Sequence, residues 1–271
     1  MPVSERQLAA FIDKHAGQIP VDTSPRHLAG PGDARHVTHG LAAAGWAPTS
    51  DLLSPEIILR SPDHRLALHL DPQSPTSWWH LQANTTDTEP GWYAAFGERI
   101  PAEILSSFTD ALVGPQSIRR PPPFEVLEAA GWAVDSSTAH SADGMCHVEQ
   151  QTAQSVGGAH WRVTTCRPGY GTPMGPRIWD AWFSADTPEH LVSAFVSGLT
   201  QAGPLQRGMY EPTAHHSVVQ NPSPLTPAQV VEAHRARLAT LRARARRARL
   251  QQPKPATAPP KTGIARPTAT R

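Results

Sequence analysis

The chain reads as an α+β protein in which one small module occurs twice in tandem and is followed by a basic helical tail. Three observations predict this. Five sequence blocks recur in the same order at offsets of 80 to 87 residues. Inside those blocks, short runs alternate apolar and polar residues with period two, and longer runs repeat apolar residues at helical spacing. The charge is also divided, with a mildly acidic body ahead of a strongly basic end.

The blocks can be taken in order. LAAAGW at 41–46 and LEAAGW at 127–132 each end a short helix, where small residues run up to a Gly able to take a left-handed cap. SPDHRLALHL at 61–70 lies over SADGMCHVEQ at 141–150; SPD and SADG are turn chemistry. Strands flank the first turn, with Ile57, Ile58 and Leu59 before it and Leu66, Leu68 and Leu70 after it. Trp79, Leu81 and Ala83 alternate, as do Trp161, Val163 and Thr165, and WYAAF at 92–96 matches WDAWF at 179–183. PAEILSSFTDAL at 101–112 and PEHLVSAFVSGL at 188–199 carry apolar residues at helical spacing. Thr187 is placed to cap the second of these helices, whereas Ile100 stands at the cap of the first. Each module is therefore a short helix, about four antiparallel strands and one long helix over the sheet. Seven of the eight Trp fall in matched blocks, as core residues would. Trp78, next to Trp79, must face the other way, which makes it a candidate exposed aromatic or module-seam residue.

At 271 residues the chain has room for one large domain or two small ones. Hydrophobic residues make up 39% and Pro fills 29 positions, about double its usual share, so compact cores are diluted by irregular segments. The formal charge of +1 conceals an asymmetry: no Asp or Glu follows Glu232, and residues 233–271 hold 11 Lys/Arg, leaving the remainder at −10. Such a tail points to an anionic partner, with a solubilising tail as the competing reading. Cys146 and Cys166 form no CxxC pair, so no disulfide framework is implied and a reducing compartment is the simpler assumption. With no apolar leader and no run of membrane-spanning length, a cytoplasmic protein is expected.

The organisation that follows is a polar N-terminal extension at 1–35, modules at 36–116 and 117–204, and a Pro-rich linker at 205–225. A basic amphipathic helix at 226–250 and a disordered basic tail at 251–271 complete the chain. Thr226 and Pro227 start the helix. Val231, His234, Leu238, Leu241, Ala245 and Ala248 give it a narrow apolar seam. Arg235, Arg237, Arg242, Arg244, Arg246, Arg247 and Arg249 are its candidate phosphate-contacting residues. Three readings compete for this helix: packing on the modules, pairing with a second copy, or neutralising phosphate on nucleic acid or anionic lipid.

Taken together, Ser61-Pro62-Asp63, the strand starts at Trp79 and Trp161, the strands at 92–96 and 179–183, and the closing helices at 101–112 and 188–199 resemble the SPDY domain, domain of unknown function 317. That family occurs in streptomycetes and related actinobacteria, often as two copies. The resemblance spans roughly residues 36–204. It departs from the family pattern at His64, where the naming motif has Tyr, and at Ala142, which replaces Pro in the second copy. The motif therefore reads as a hairpin turn. The resemblance implies organisation and host range, with no established activity.

Residue patterns for chemistry are weak. His140, Cys146, His147, His160 and Cys166 share the second module, but adjacent Cys146 and His147 on a strand face opposite ways, and no metal site is expected. Gly169, Gly171 and Gly175 lead into a strand, unlike a phosphate-cradling loop. No catalytic residue and no cofactor is assigned. The expectation is a non-enzymatic, two-module binding protein with DNA or RNA as the leading partner of the tail, and with the tandem sheets as a surface for single strands. A protein-interaction module, plasmid-related by the hint of the family name, and an enzyme built on the module seam are the alternatives. The sequence leaves the oligomeric state open.

Overall fold

The computed structural model describes residues 3–50, 54–113, 120–151, 159–169 and 175–251. Gly171 and the tail beyond Gln251, expected to be disordered, lie outside the described residues. The chain opens with α1 (Glu5–Ala16), whose start is closed by a reciprocal capping box between Ser4 and Gln7. Strand β1 (Pro20–Ser24) and a single 3-10 turn at Arg26–Leu28 follow. The first copy then runs α2 (Arg35–Ala43), β2 (Ala47–Pro48), β3 (Ile57–Arg60), β4 (Leu66–Leu70), β5 (Trp79–Ala83), β6 (Trp92–Phe96) and α3 (Ala102–Val113). The second repeats that order as α4 (Pro123–Ala129), β7 (Ala133–Val134), β8 (Thr138–His140), β9 (Cys146–Gln150), β10 (Ala159–Cys166), β11 (Arg177–Ser184) and α5 (Glu189–Thr200). Strands β12 (Leu205–Gly208) and β13 (Val219–Pro222) and the long α6 (Pro227–Gln251) close the chain.

The repeat is visible in the backbone. Gly45 and Gly131 end the two short helices with φ of 94° and 80°, a conformation that strains any residue with a Cβ. Both Ser-x-Asp segments form the same hairpin. Asp63 Oδ1 accepts from the Ser61 hydroxyl and the Arg65 N–H, and Asp143 Oδ1 accepts from the Ser141 hydroxyl and the Met145 N–H. The Ser61 and Ser141 hydroxyl oxygens in turn accept from the N–H groups of Leu66 and Cys146. Every polar atom of the motif that these bonds involve is spent on turn geometry.

The two copies share one body. Their strands form a single ten-stranded antiparallel sheet in the order β2-β3-β4-β5-β6-β11-β10-β9-β8-β7. At its centre β6 pairs with β11, with Ala95 opposite Trp182, Phe96 opposite Ala181 and Ala94 opposite Phe183. Ala95 faces its own counterpart in the repeat, Trp182, and the Phe96–Ala181 pair is the repeat image of the Phe183–Ala94 pair. The strand therefore pairs with its own duplicate about a local two-fold axis through Ala95 and Trp182. On one face of the sheet α3 and α5 pack against each other, so closely that a Cβ on Gly198 would stand 2.4 Å from the Ser107 hydroxyl oxygen. Phe96, Phe108, Phe183 and Phe195, all fully buried, meet at this axis with ring centroids 5.4 to 5.8 Å apart. Edge-to-face and tilted packing at these spacings is favourable for aromatic rings beyond the area they bury.

The segments outside the repeat correct two expectations. Residues 1–35 are more than a polar extension: α1 buries Phe11, and β1 is the middle strand of a second sheet, β12-β1-β13. The stretch expected as a Pro-rich linker supplies β12 and β13. Pro204 precedes β12, Pro212 lies between the strands, and Pro222 ends the edge strand β13, positions where a missing N–H is tolerated. Buried side chains tie this sheet to both copies. Arg207 donates to Ala29 O, Gly30 O and both oxygens of Glu103 on α3. Arg26 donates to Gly198 O and Gly203 O at the end of α5, and His27 pairs with Asp143 at 2.9 Å. A smaller correction concerns Thr187. Its hydroxyl bonds Ser184 and the Tyr93 carbonyl across the seam instead of capping α5.

Because one aromatic cluster joins the copies, Phe183→Ala is expected to cost about 3–5 kcal/mol. Urea unfolding followed by Trp fluorescence should remain a single transition. Two separated transitions would contradict a shared core.

Candidate functional site

The helix α6 is built as the sequence implies at its start and along its seam. Thr226 Oγ1 accepts from the Gln229 N–H, while Gln229 Oε1 accepts from the Thr226 N–H, a capping box. Val231, His234, Leu238, Leu241 and Ala245 are buried against α1, α2 and α3. Of the three readings of this helix, packing on the modules is the one observed. It covers the first copy alone; on the second copy, α4 keeps Glu125, Glu128 and Ala129 exposed.

At about 100° per residue, Arg235, Arg242, Arg246 and Arg249 fall on one flank of the buried seam, Arg237 and Arg244 on the other, and Arg247 points away. The flanks differ in chemistry. Arg237 Nε and Nη2 grip both oxygens of Asp110 at 2.8 and 2.5 Å, and Nη1 donates to His36 O. Burial pushes the Asp110 carboxyl up, against the pull of the Arg237 and Arg244 charges. Arg237 is therefore committed to the fold, a correction to its candidacy as a phosphate contact. Arg235 lies 3.7 Å from Glu232.

On the other flank the guanidinium of Arg249 lies over Gly45 and donates to Ala44 O at the end of α2. That carbonyl belongs to the negative pole of the helix. Arg242, Arg246 and Arg249 together line a pocket of 520 Å³ with Ala42, Ala43, Gly45, Ala245 and Leu250. Among the described residues no carboxylate lines it. Arg242, Arg244, Arg246 and Arg247 are exposed and make no ion pair among the described residues.

The second surface is the sheet face that no described helix covers. Alternation puts His69, His80, Ala95, Trp182, Arg162 and Glu149 side by side across it. The Arg162 guanidinium carbon sits 4.3 Å from the Trp182 ring centroid, a cation–π contact. Asp180 accepts from the Trp182 indole N–H and from Arg177, which fixes the indole plane. Tyr93 is 47% exposed on the same face. Trp182 was expected in the core with the other repeated tryptophans. Strand parity, the argument that singled out Trp78, would have turned it outward, since Trp179, Ala181 and Phe183 face in. Trp78 itself is half-buried against the core ahead of β5. The seam is made by β6, β11, α3 and α5.

The cysteine and histidine set of the second module is dispersed. Cys146 faces the core, where burial pushes its thiol up to about 12, so it is a poor nucleophile. His140 and His147 meet edge to face on the opposite side of the sheet, and His160 bonds Gln150. Among the described residues no helix is long and apolar enough to cross a membrane.

Comparison with known families matches the chain twice. The SPDY model, a domain of unknown function (DUF317), covers residues 60–118 and 140–205, a little under half of the chain. No curated protein and no solved structure matches. The matched regions hold β4 to β6 with α3, and β9 to β11 with α5. The seam and the open face thus lie within the domains, and α2, α4 and α6 lie outside the matched residues.

Arg237→Ala leaves a mostly buried carboxylate without its partner and is expected to cost about 1–3 kcal/mol. Arg247→Ala, on the exposed side, should stay within about 0.5 kcal/mol. Urea unfolding of the two variants checks the contrast, and adding Asp110→Asn to Arg237→Ala should recover part of the loss.

Proposed function

From a chain that carries two tandem SPDY domains and adds an arginine-flanked helix to the first, we propose a non-enzymatic nucleic-acid-binding protein. The observation that carries this reading is the groove that Arg242, Arg246 and Arg249 line with no carboxylate among the described residues. Guanidinium forks match phosphate oxygens, and Arg242 and Arg246 have no ion-pair partner among the described residues that a polyanion would have to displace. Binding of this kind releases counterions, so it weakens steeply with salt and reads backbone more than sequence. The half-exposed pair of Trp182 and Arg162, on a face that no described helix covers, favours a second mode, in which unstacked bases of a single strand lie on the sheet. No described side-chain set suggests covalent chemistry, which is why a binding role is preferred to an enzyme at the seam.

Removing the helix would not test this, because Leu241 and Ala245 belong to the core over the first copy. Charge removal at Arg242 and Arg246 on the groove flank, and at Arg247 on the outer side of the helix, does. Anisotropy titrations with labelled duplex and single-stranded DNA at two salt concentrations should show Arg242→Gln/Arg246→Gln/Arg247→Gln weakening both. The slope of log affinity against log salt should fall by about 2–3. Trp182→Ala should weaken single strands about tenfold or more and spare the duplex. Affinity that ignores salt and the triple variant would overturn the reading in favour of a protein partner.

A further inference from the structure

The first half of α6 is held to the body by imidazole rings. His39 Nδ1 on α2 and His234 Nε2 on α6 lie 3.2 Å apart, so one donates and the other accepts. His234 stacks on Phe11 of α1 at 4.0 Å and 15°, and meets His36 of α2 edge-on at 5.3 Å. His39 and His234 are 4% and 3% exposed, and His234 Nδ1 is buried without a hydrogen-bond partner.

The charged groups around the cluster come from every element packed on it. Lys14 and His15 project from α1, and Asp33 precedes α2, held by His15, Lys14 and Arg35. Arg35 of α2 lies over the Phe11 ring. Glu103 of α3 is 3.6 Å from His36 but is engaged by Arg207 of β12. Asp110 of α3 is engaged by Arg237 of α6. Among the described residues no carboxylate contacts His39 or His234. A proton added to either would put a cation against a second ring in a space already flanked by Arg35 and Arg237.

We infer that His36, His39 and His234 form an acid-sensitive latch: uptake of protons by these rings expels α6 from α1, α2 and α3 and dismantles the arginine groove. The latch stands on its own geometry; its effect on nucleic acid rests on the reading proposed above. Burial holds His39 down to about 4, with the Arg35 charge adding to it, and burial with the neighbouring His36 and His39 holds His234 lower. Burial also lowers His36, against the opposing pull of Glu103. The sign follows. Bases depressed in the fold but ordinary once released keep α6 docked above pH ~6.5, and docking is lost as pH falls below that value. Asp33 and Glu103 are held below the carboxylate range by their partners, although burial opposes this; their loss belongs to lower pH. Asp110, raised by burial, takes up its proton with the helix still docked and so does not drive release.

Hydrogen exchange of the full chain, corrected for intrinsic rates, tests this at pH 7.5 and 5.0. Opening of residues 227–251 should rise about a thousand-fold, roughly thirty-fold for each of His39 and His234, while β6 and β11 open far less. His39→Leu/His234→Leu, which replaces both partners together, should abolish the difference. Release of α6 in parallel with β6 and β11, or release persisting in the double variant, would overturn the latch. Should that variant not fold, imidazole titration of the native chain by NMR decides: protonation of His39 and His234 near pH 6.5 with α6 still protected would overturn it too. Anisotropy with duplex DNA at the same two pH values separates the claims. A pH-driven opening with no DNA binding at either pH leaves the latch standing and removes the nucleic-acid reading.

Discussion

Four phenylalanine rings at a local two-fold axis hold this molecule together. Phe96 and Phe108 come from one copy and Phe183 and Phe195 from the other. Around them β6 pairs with β11 in a register that maps the repeat onto itself. An isolated copy would leave β6 as an exposed edge strand and half of an aromatic cluster open to water. Duplication solves both problems, because the edge that needs covering is also the surface that covers it. Every other feature is arranged around the resulting sheet: helices on one face, an opposite face that no described helix covers, and an N- and C-terminal layer bridging both copies.

That layer breaks the symmetry. Arg207 reaches the first copy through Glu103, and Arg26 and His27 reach the second through the end of α5 and Asp143. The two Ser-x-Asp hairpins are built alike, yet only Asp143 receives a histidine from the N-terminal segment. Likewise only the first copy carries α6 over its short helix. Among the described residues the arginine-lined groove therefore lies on the first copy and not the second, although the module that supports it exists twice.

Much of this architecture was legible in the residues. Period-two alternation at Trp79, Leu81 and Ala83 and at Trp161, Val163 and Thr165 marked strands with one buried face, and Gly45 and Gly131 marked helix ends. Thr226 and Pro227 and the seam from Val231 to Ala248 marked α6. The join between copies was not legible, because alternation reports which face is buried and is silent on which edge pairs with which. The terminal sheet was hidden for a related reason. Strands such as Val219–Pro222, exposed at all four residues, carry no apolar signal, and β1 finds its partners nearly two hundred residues away. The candidate site was partly legible. Composition showed an arginine-rich helix, but only packing distinguishes Arg237, gripped by Asp110, from Arg242 and Arg246, left free in the groove.

The claim on which this account turns is that the duplicated strands pair with one another inside a single chain. Replacing Ala95 and Trp182 by cysteine places two thiols directly opposite each other across the β6–β11 pair, a separation that a disulfide can bridge. Mild oxidation followed by mass analysis should give a cross-linked monomer joining positions 95 and 182. Thiols that stay reduced, or a link that forms only between two chains, would contradict the shared sheet.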